Sequence, residues 1–132
     1  TLMEPCPMCF GAANVARVAE IHYVCRDPWA GSTNLAGANW YMQRKAITIV
    51  HEGGDFERIM AAWLVYSMMR SKLETGLMDC DNEFVDRWAM VIPDIKALLP
   101  KMAAHTELRN ALTRAEPSEV FNALAEVCGV SS

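Results

Sequence analysis

Cys6 and Cys9 are the residues best placed to do chemistry in this sequence. They stand three apart in Pro5-Cys6-Pro7-Met8-Cys9, with Glu4 before them and Phe10-Gly11-Ala12 after. One helical turn brings side chains at that spacing to the same side. Pro5 suits a helix start, since proline has no N–H to lose in the first turn. The unpaired N–H groups and partial positive charge of a helix N-terminus both favour thiolate. Thiolates ligate zinc, and catalytic zinc sites use three protein ligands plus a water in tetrahedral geometry. Spacing alone leaves several readings open. The pair could be half of a catalytic zinc site, or half of a structural one, which would need a second C-x-x-C that the sequence lacks. It could be a redox pair, although those follow a strand and loop and usually have no proline between the thiols. It could also be two free thiols in a core.

The other reactive residues carry less. Five cysteines is an odd number without the spacing of a disulfide framework. Cys25 falls in an expected strand, Cys80 in an acidic loop and Cys128 near the end; each reads as a free thiol, and a reducing cytoplasm is the default setting. His22 reads as a strand residue, and His105 as an exposed residue of a helical tail. His51 and Glu52 are adjacent, so neither a helix nor a strand presents them together, and they read as a solvated turn. Asp79, Asp81 and Glu83 alternate like part of a calcium loop but lack its glycine and distant glutamate, which leaves a solvated acidic loop. Trp29, Trp40 and Tyr41 could stack on a base or pack in a core or interface.

The elements that must position these residues follow from periodicity and punctuation. Residues 5–19 are expected to form a helix, kept thin by Gly11, Ala12, Ala13, Ala16 and Ala19. Strand is expected over 20–26, where Ile21, Tyr23 and Cys25 alternate with His22 and Val24; Asp27-Pro28 ends it. Residues 29–44 look irregular, with a helical turn near Asn39 to Gln43, and 46–51 form a second strand closed by Gly53-Gly54. Thereafter the pattern is helical: Asp55 as N-cap of a helix to about Glu74 with Gly76 as its stop, Asn82 as cap of a helix over 83–92, then helices at 94–104, 106–115 and 118–127. Met60, Met68 and Met69 read as core. Two strands make no stable sheet alone, so further strands are expected from elsewhere, most simply from sequence ahead of Thr1.

At 132 residues the chain is one domain of ordinary globular composition. Its longest apolar run, Ile59 to Met69, falls short of the ~20 residues that span a bilayer, and its start lacks the pattern of a signal peptide. A net charge of −4 and pI of about 5.3 favour a small-molecule substrate over a polynucleotide; Arg44-Lys45 is too small a basic patch to hold phosphates strongly.

Glu4-Pro5-Cys6-Pro7-Met8-Cys9, the small-residue helix through Ala16-Arg17, the strand, and Arg26-Asp27-Pro28 together resemble the cytidine and deoxycytidylate deaminase superfamily, most of all the branch of guanine deaminases and tRNA adenosine deaminases. The resemblance is specific over residues 1–31 and does not reach the helical tail. It implies a three-layer α/β/α fold with a mixed sheet. It also implies a catalytic Zn2+ held by one histidine or cysteine and the two cysteines of P-C-x-x-C, here Cys6 and Cys9. In that family a glutamate two residues after the histidine shuttles the proton while water activated at the metal attacks the amidine carbon of the base. Glu4 matches the motif but is not that glutamate. The H-x-E half lies upstream of P-C-x-x-C in the family, and only four residues precede Pro5 here; the sequence opens on Thr1-Leu2 without an initiator Met. The expectation is therefore a piece of a longer zinc-dependent deaminase. Residues 1–54 would be the C-terminal part of the zinc domain, and 55–132 a helical extension completing or packing on it. It would act on a base, nucleoside or nucleotide rather than tRNA, be homodimeric, cytoplasmic and free of membrane, and have its third ligand and catalytic glutamate upstream. The alternative is a non-catalytic interaction or dimerisation domain of the same fold, with Trp63, Phe84, Trp88 and Phe121 as its interface.

Overall fold

The structure, a computed structural model, describes residues 1–75 and 82–130. It is a mixed α/β chain, mostly helical, with a small parallel sheet of two strands. Contacts divide it into two compact units, Thr1–Glu57 and Arg58–Ser132.

In the first unit, helix α1 (Pro7–Val15) leads into strand β1 (Glu20–Tyr23); a short 3₁₀ turn (Thr33–Gly37) and helix α2 (Trp40–Lys45) then return the chain to strand β2 (Thr48–His51). β1 and β2 pair in parallel, Glu20 opposite Thr48 and Tyr23 opposite His51. Parallel neighbours need a crossover rather than a hairpin, and the 3₁₀ turn with α2 supplies it inside the segment expected to be irregular. Strand alternation holds: Ile21 and Tyr23 are buried, Glu20 and His22 exposed. β1 stops earlier than expected because Cys25 turns from β2 to the start of the chain. Cys25 donates its N–H to Leu2 O and accepts from Glu4 N, both at 2.8 Å, forming a parallel bridge with Met3. Residues 1–4 thus add a third extended segment beside β1. All of the pairing among the described residues is parallel and β1 buries a single face, so the layered mixed sheet expected from the resemblance is not established.

α1 ends at Val15, four residues short of the expected Ala19. Arg17 takes a left-handed conformation (φ 59°), with Val18 N–H bonded to Ala13 O at 3.0 Å and Arg17 N–H to Asn14 O at 3.2 Å. This is a Schellman stop, usually built on glycine. α2 ends likewise on Ala46 (φ 47°), which takes Ala46 out of the expected strand, and it begins on Asn39, whose side chain accepts from Met42 N at 3.0 Å.

The second unit carries most of α3 (Asp55–Thr75), then α4 (Asn82–Trp88), α5 (Ile95–Ala104), α6 (Thr106–Arg114) and α7 (Pro117–Cys128). Asp55 begins the helix itself rather than standing as its cap, and Asn82 is the first residue of α4. Gly76, the expected stop of α3, lies outside the described residues. α7 packs on α5 and α6, and α4 on α5. Ile59, Ala61, Ala62 and Val65 of α3 are buried together with Phe84, Trp88, Ile95, Met102, Leu108 and Leu124. Met60, Met68 and Met69 are only half-buried; the core of α3 is made of smaller side chains. Arg58 clasps this bundle. Its guanidinium meets both carboxylate oxygens of Asp94 at 2.7 and 2.6 Å and Cys128 O at 2.9 Å, satisfying the end of α7 and holding the Asp94 carboxyl below its ordinary value. Among the described residues no helix is long and apolar enough to cross a membrane.

A left-handed arginine costs about 1 kcal/mol that glycine would not. Arg17→Gly is therefore expected to stabilise the fold by about 1 kcal/mol, seen as a higher urea midpoint at unchanged m; an unchanged or lower midpoint would mean that the side chain returns what the backbone loses.

Candidate functional site

The cysteine pair is built on a turn that other residues hold in place. Cys6 is the N-cap of α1, with Pro7 as its first residue. The strand-like segment 1–4 delivers the chain to that cap, and Phe10 N–H closes the first turn on Cys6 O at 2.8 Å. The loop after β1 braces it from the other side: Ser32 N–H bonds to Pro5 O at 3.0 Å. That loop is folded by two carboxylates. Asp27 accepts from the N–H groups of Trp29 and Ala30, both at 3.0 Å, while its own carbonyl accepts from Gly31 N at 2.8 Å. Glu4 reaches across and accepts from Asp27 N at 3.1 Å, Thr33 N at 3.2 Å and Thr33 Oγ1 at 2.5 Å. Glu4 thereby serves as a structural acceptor for the loop. Gly31 makes this approach possible: a Cβ there would stand 2.3 Å from Glu4 Oε2 and 2.5 Å from Asp27 O.

The two thiols differ electrically. Cys6 is held below its ordinary value by the backbone N–H and the thiol of Cys9, with Met8 N–H adding to them. Cys9 is pushed up, because its thiol donates to Cys6 and sits beside the charge that Cys6 develops. The lowering falls on Cys6, the thiol at the N-cap, where a helix N-terminus favours negative charge. A groove of about 540 Å³ runs beside them, lined among others by Cys6, Cys9, Ala13, Glu20, His22 and Asp27.

These donors fit two positions of a tetrahedral zinc, and only two. Among the described residues no group of three His, Cys, Asp or Glu side chains is assembled to hold a metal. His22 shares the groove with the cysteines, but its Nδ1 lies 2.8 Å from Glu52 Oε1 and its Nε2 3.2 Å from Glu20 Oε2. Those carboxylates, Glu52 foremost, raise its pKa. His51 and Glu52 serve separate networks, as adjacent strand-end residues must. His105 is not an exposed tail residue: it is half-buried and caps α6, its Nδ1 accepting from Leu108 N at 3.2 Å. Cys25 is fully buried and its thiol pushed up to about 12, chiefly by burial; Cys128 is buried and raised for the same reason. Neither is a ligand candidate. Cys80, Asp79 and Asp81 lie outside the described residues. Trp29 is exposed near the loop, whereas Trp40 and Tyr41 line a different cavity at the far end of α1.

Sequence reasoning missed the buried carboxylate of Glu57, which stands at the end of the first unit. Its Oε1 accepts from Arg26 N–H and Arg26 Nε, both at 3.0 Å, and from His51 Nε2 at 3.0 Å, while the His51 ring stacks on Tyr23 with centroids 5.1 Å apart. Burial works to raise the Glu57 carboxyl, but the Arg26 hydrogen bonds and the charges of Arg26 and His51 prevail and hold it below its ordinary value. Arg26 of Arg26-Asp27-Pro28 is thus a structural clamp, and nothing in the local sequence couples it to a residue 31 positions on.

No protein-family model, curated protein or solved structure matches this chain. The site is therefore read from its own geometry.

Two outcomes test the scaffold. Gly31→Ala is expected to displace Glu4 and lower stability by about 2 kcal/mol, as overpacking does, with faster amide exchange at Asp27 and Thr33; retained protection there would show that Glu4 does not organise the loop. Glu57→Gln is expected to lose about 2 kcal/mol at neutral pH, the usual worth of hydrogen bonds to a charged acceptor. Because the folded carboxyl titrates below its ordinary 4.5, that stability is present above the ordinary value and lost as pH falls through the lower folded one. Unfolding curves of the two proteins should converge in acid and separate above about pH 5.

Proposed function

We propose that the chain is part of a zinc-dependent deaminase, in which Cys6 and Cys9 hold the metal and the remaining ligand comes from residues outside the described structure. The observation that carries this reading is the turn at the head of α1: two thiols on one helix N-terminus, that of Cys6 held below its ordinary value, beside an open groove. The resemblance of residues 1–31 to the cytidine and deoxycytidylate deaminase superfamily supports it. So does the parallel placement of residues 1–4 beside β1, which makes the pair the end of a strand–turn–helix unit. The fold would then be the three-layer mixed-sheet arrangement of that family. When bound, the metal supplies Lewis acidity that makes water a nucleophile at neutral pH. This chain's own part is to anchor two ligands, through the Glu4 and Asp27 loop, and to shape one wall of the substrate groove. The reaction exchanges an exocyclic C–N bond of an amidine for C=O, consuming water and releasing ammonia. A base, nucleoside or nucleotide fits the acidic chain better than tRNA, and a reducing cytoplasm and a homodimer complete the reading.

A second reading, a non-catalytic interaction domain, draws on a different observation. Phe84 and Trp88 are buried and cannot form an interface. Trp63 and Phe121, however, line an apolar groove of about 440 Å³ with Ile59, Met60, Leu112 and Val120.

Elemental analysis and an ammonia-release screen over amino-bearing bases, nucleosides and nucleotides, run on the protein expressed from its native coding sequence, decide between them. Equimolar zinc that is lost in Cys6→Ser and Cys9→Ser, with ammonia released from one substrate class, is expected. Absence of zinc overturns the deaminase. Zinc without ammonia from any substrate, in a dimer that Phe121→Glu dissociates, supports the second reading instead.

A further inference from the structure

A cavity of about 800 Å³ lies at the end of α1 opposite the cysteine pair. Its walls combine three cations, Arg17, Arg44 and Lys45, with two exposed aromatic rings, Trp40 and Tyr41, and a single carboxylate, Glu20. Among the described residues no carboxylate pairs with any of the three cations, while Glu20 is engaged by His22. In a chain of net charge −4, this is a concentrated and uncompensated positive site. The rings are held by the cations themselves. The Arg44 guanidinium lies 5.2 Å from the Trp40 ring centre, and Lys45 Nζ 4.9 Å from that of Tyr41. A guanidinium stacked on an indole keeps its N–H edge free for a bidentate acceptor, and Trp40, 70% exposed, keeps its other face open. The backbone points to the same place. Arg17 and Ala46, the left-handed stops of α1 and α2, both line this cavity, so the ends of the two helices bring the three cations around one space.

We propose that this cavity binds a mononucleotide, its phosphate held by Arg17, Arg44 and Lys45 and its base stacked on the open face of Trp40. The volume lies within the range of small-ligand pockets. Stacking accounts for the exposed rings, which a site for inorganic phosphate would not need. A polynucleotide is the poorer fit, because the positive charge is confined to one cavity of an acidic protein instead of forming a stripe along the surface. The inference is independent of any metal at Cys6 and Cys9.

Isothermal titration with AMP, GMP, CMP and UMP tests it, alongside the matching nucleosides, inorganic phosphate and a short single-stranded oligonucleotide. At least one mononucleotide is expected to bind about tenfold or more tightly than its nucleoside and than phosphate alone. Arg17→Gly, which relieves the left-handed strain and so keeps the fold, and Trp40→Ala should each weaken binding by about tenfold, the first through the phosphate and the second through the base. Binding should persist in Cys6→Ser/Cys9→Ser protein. Loss in that variant places the nucleotide in the cysteine groove and overturns this proposal while leaving the deaminase reading standing. No mononucleotide binding, wild-type affinity in Arg17→Gly or Trp40→Ala, or tighter binding of the oligonucleotide overturns it as well.

Discussion

The carboxylate of Glu4 is the constraint on which the candidate site depends. It accepts hydrogen bonds from Asp27 N, Thr33 N and Thr33 Oγ1, so one side chain at the start of the chain fixes a loop that begins more than twenty residues later. Hydrogen bonds to a charged acceptor contribute about 1.5–3 kcal/mol each, and leaving their donors unsatisfied costs comparably. Replacing them by water would free the loop whose Ser32 N–H braces Pro5, and with it the N-terminal turn of α1. The absence of a side chain at Gly31 and the acidity of Glu4 are therefore one feature seen from two sides. Together they decide how the loop braces the turn that carries Cys6 and Cys9.

α1 gives the first unit a polarity that organises the rest of its chemistry. At the N-terminal end, unpaired N–H groups and the positive pole of the helix favour negative charge, and there the sequence places the thiol of Cys6, held below its ordinary value. At the C-terminal end the pole is negative, and there Arg17 stands just past the last turn, joined by Arg44 and Lys45 from the end of α2. Nine helical residues separate the two ends, about 14 Å at the rise of an α-helix. A single anion cannot serve both, so each end has to be understood through its own ligand. The same macrodipole that favours negative charge at Cys6 favours the positive charge of Arg17 at the other end.

How much of this was legible in the sequence depends on the range of the interaction. The cysteine turn, the alternation of Ile21 and Tyr23 against Glu20 and His22, and the helices of the second unit are written in local spacing, and they appear close to where that spacing puts them. The ends of elements were less legible. Arg17 and Ala46 stop their helices in a conformation that glycine ordinarily marks, so no residue type announced either stop. Least legible were the charged contacts: Glu4 with Thr33, Arg26 with Glu57, and Arg58 with Asp94 join residues 29, 31 and 36 positions apart. A lone acid or arginine on a polar stretch reads as solvated surface until the fold brings its partner. His105 illustrates the same limit within one turn, since its role as a cap depends on a ring orientation that composition does not carry.

The groove beside the cysteines sets a requirement on whatever completes a metal site there. Glu20 and His22 line that groove together with Cys6 and Cys9, and Glu52 holds the other nitrogen of His22. A segment that enters to supply a third ligand must come to lie against this imidazole and its two carboxylates. Covering them with apolar side chains would strip solvent from two carboxylates that share a single imidazole, at a cost that a ligand bond would have to exceed. A covering segment that donates hydrogen bonds, or carries positive charge, meets no such penalty. The exposed face of β1 is thus not a vacancy awaiting a hydrophobic layer; its chemistry already specifies that the chain next to it be polar. If the proposed zinc site is completed there, a histidine ligand followed by acids would have to bring donors of its own to meet Glu20 and Glu52.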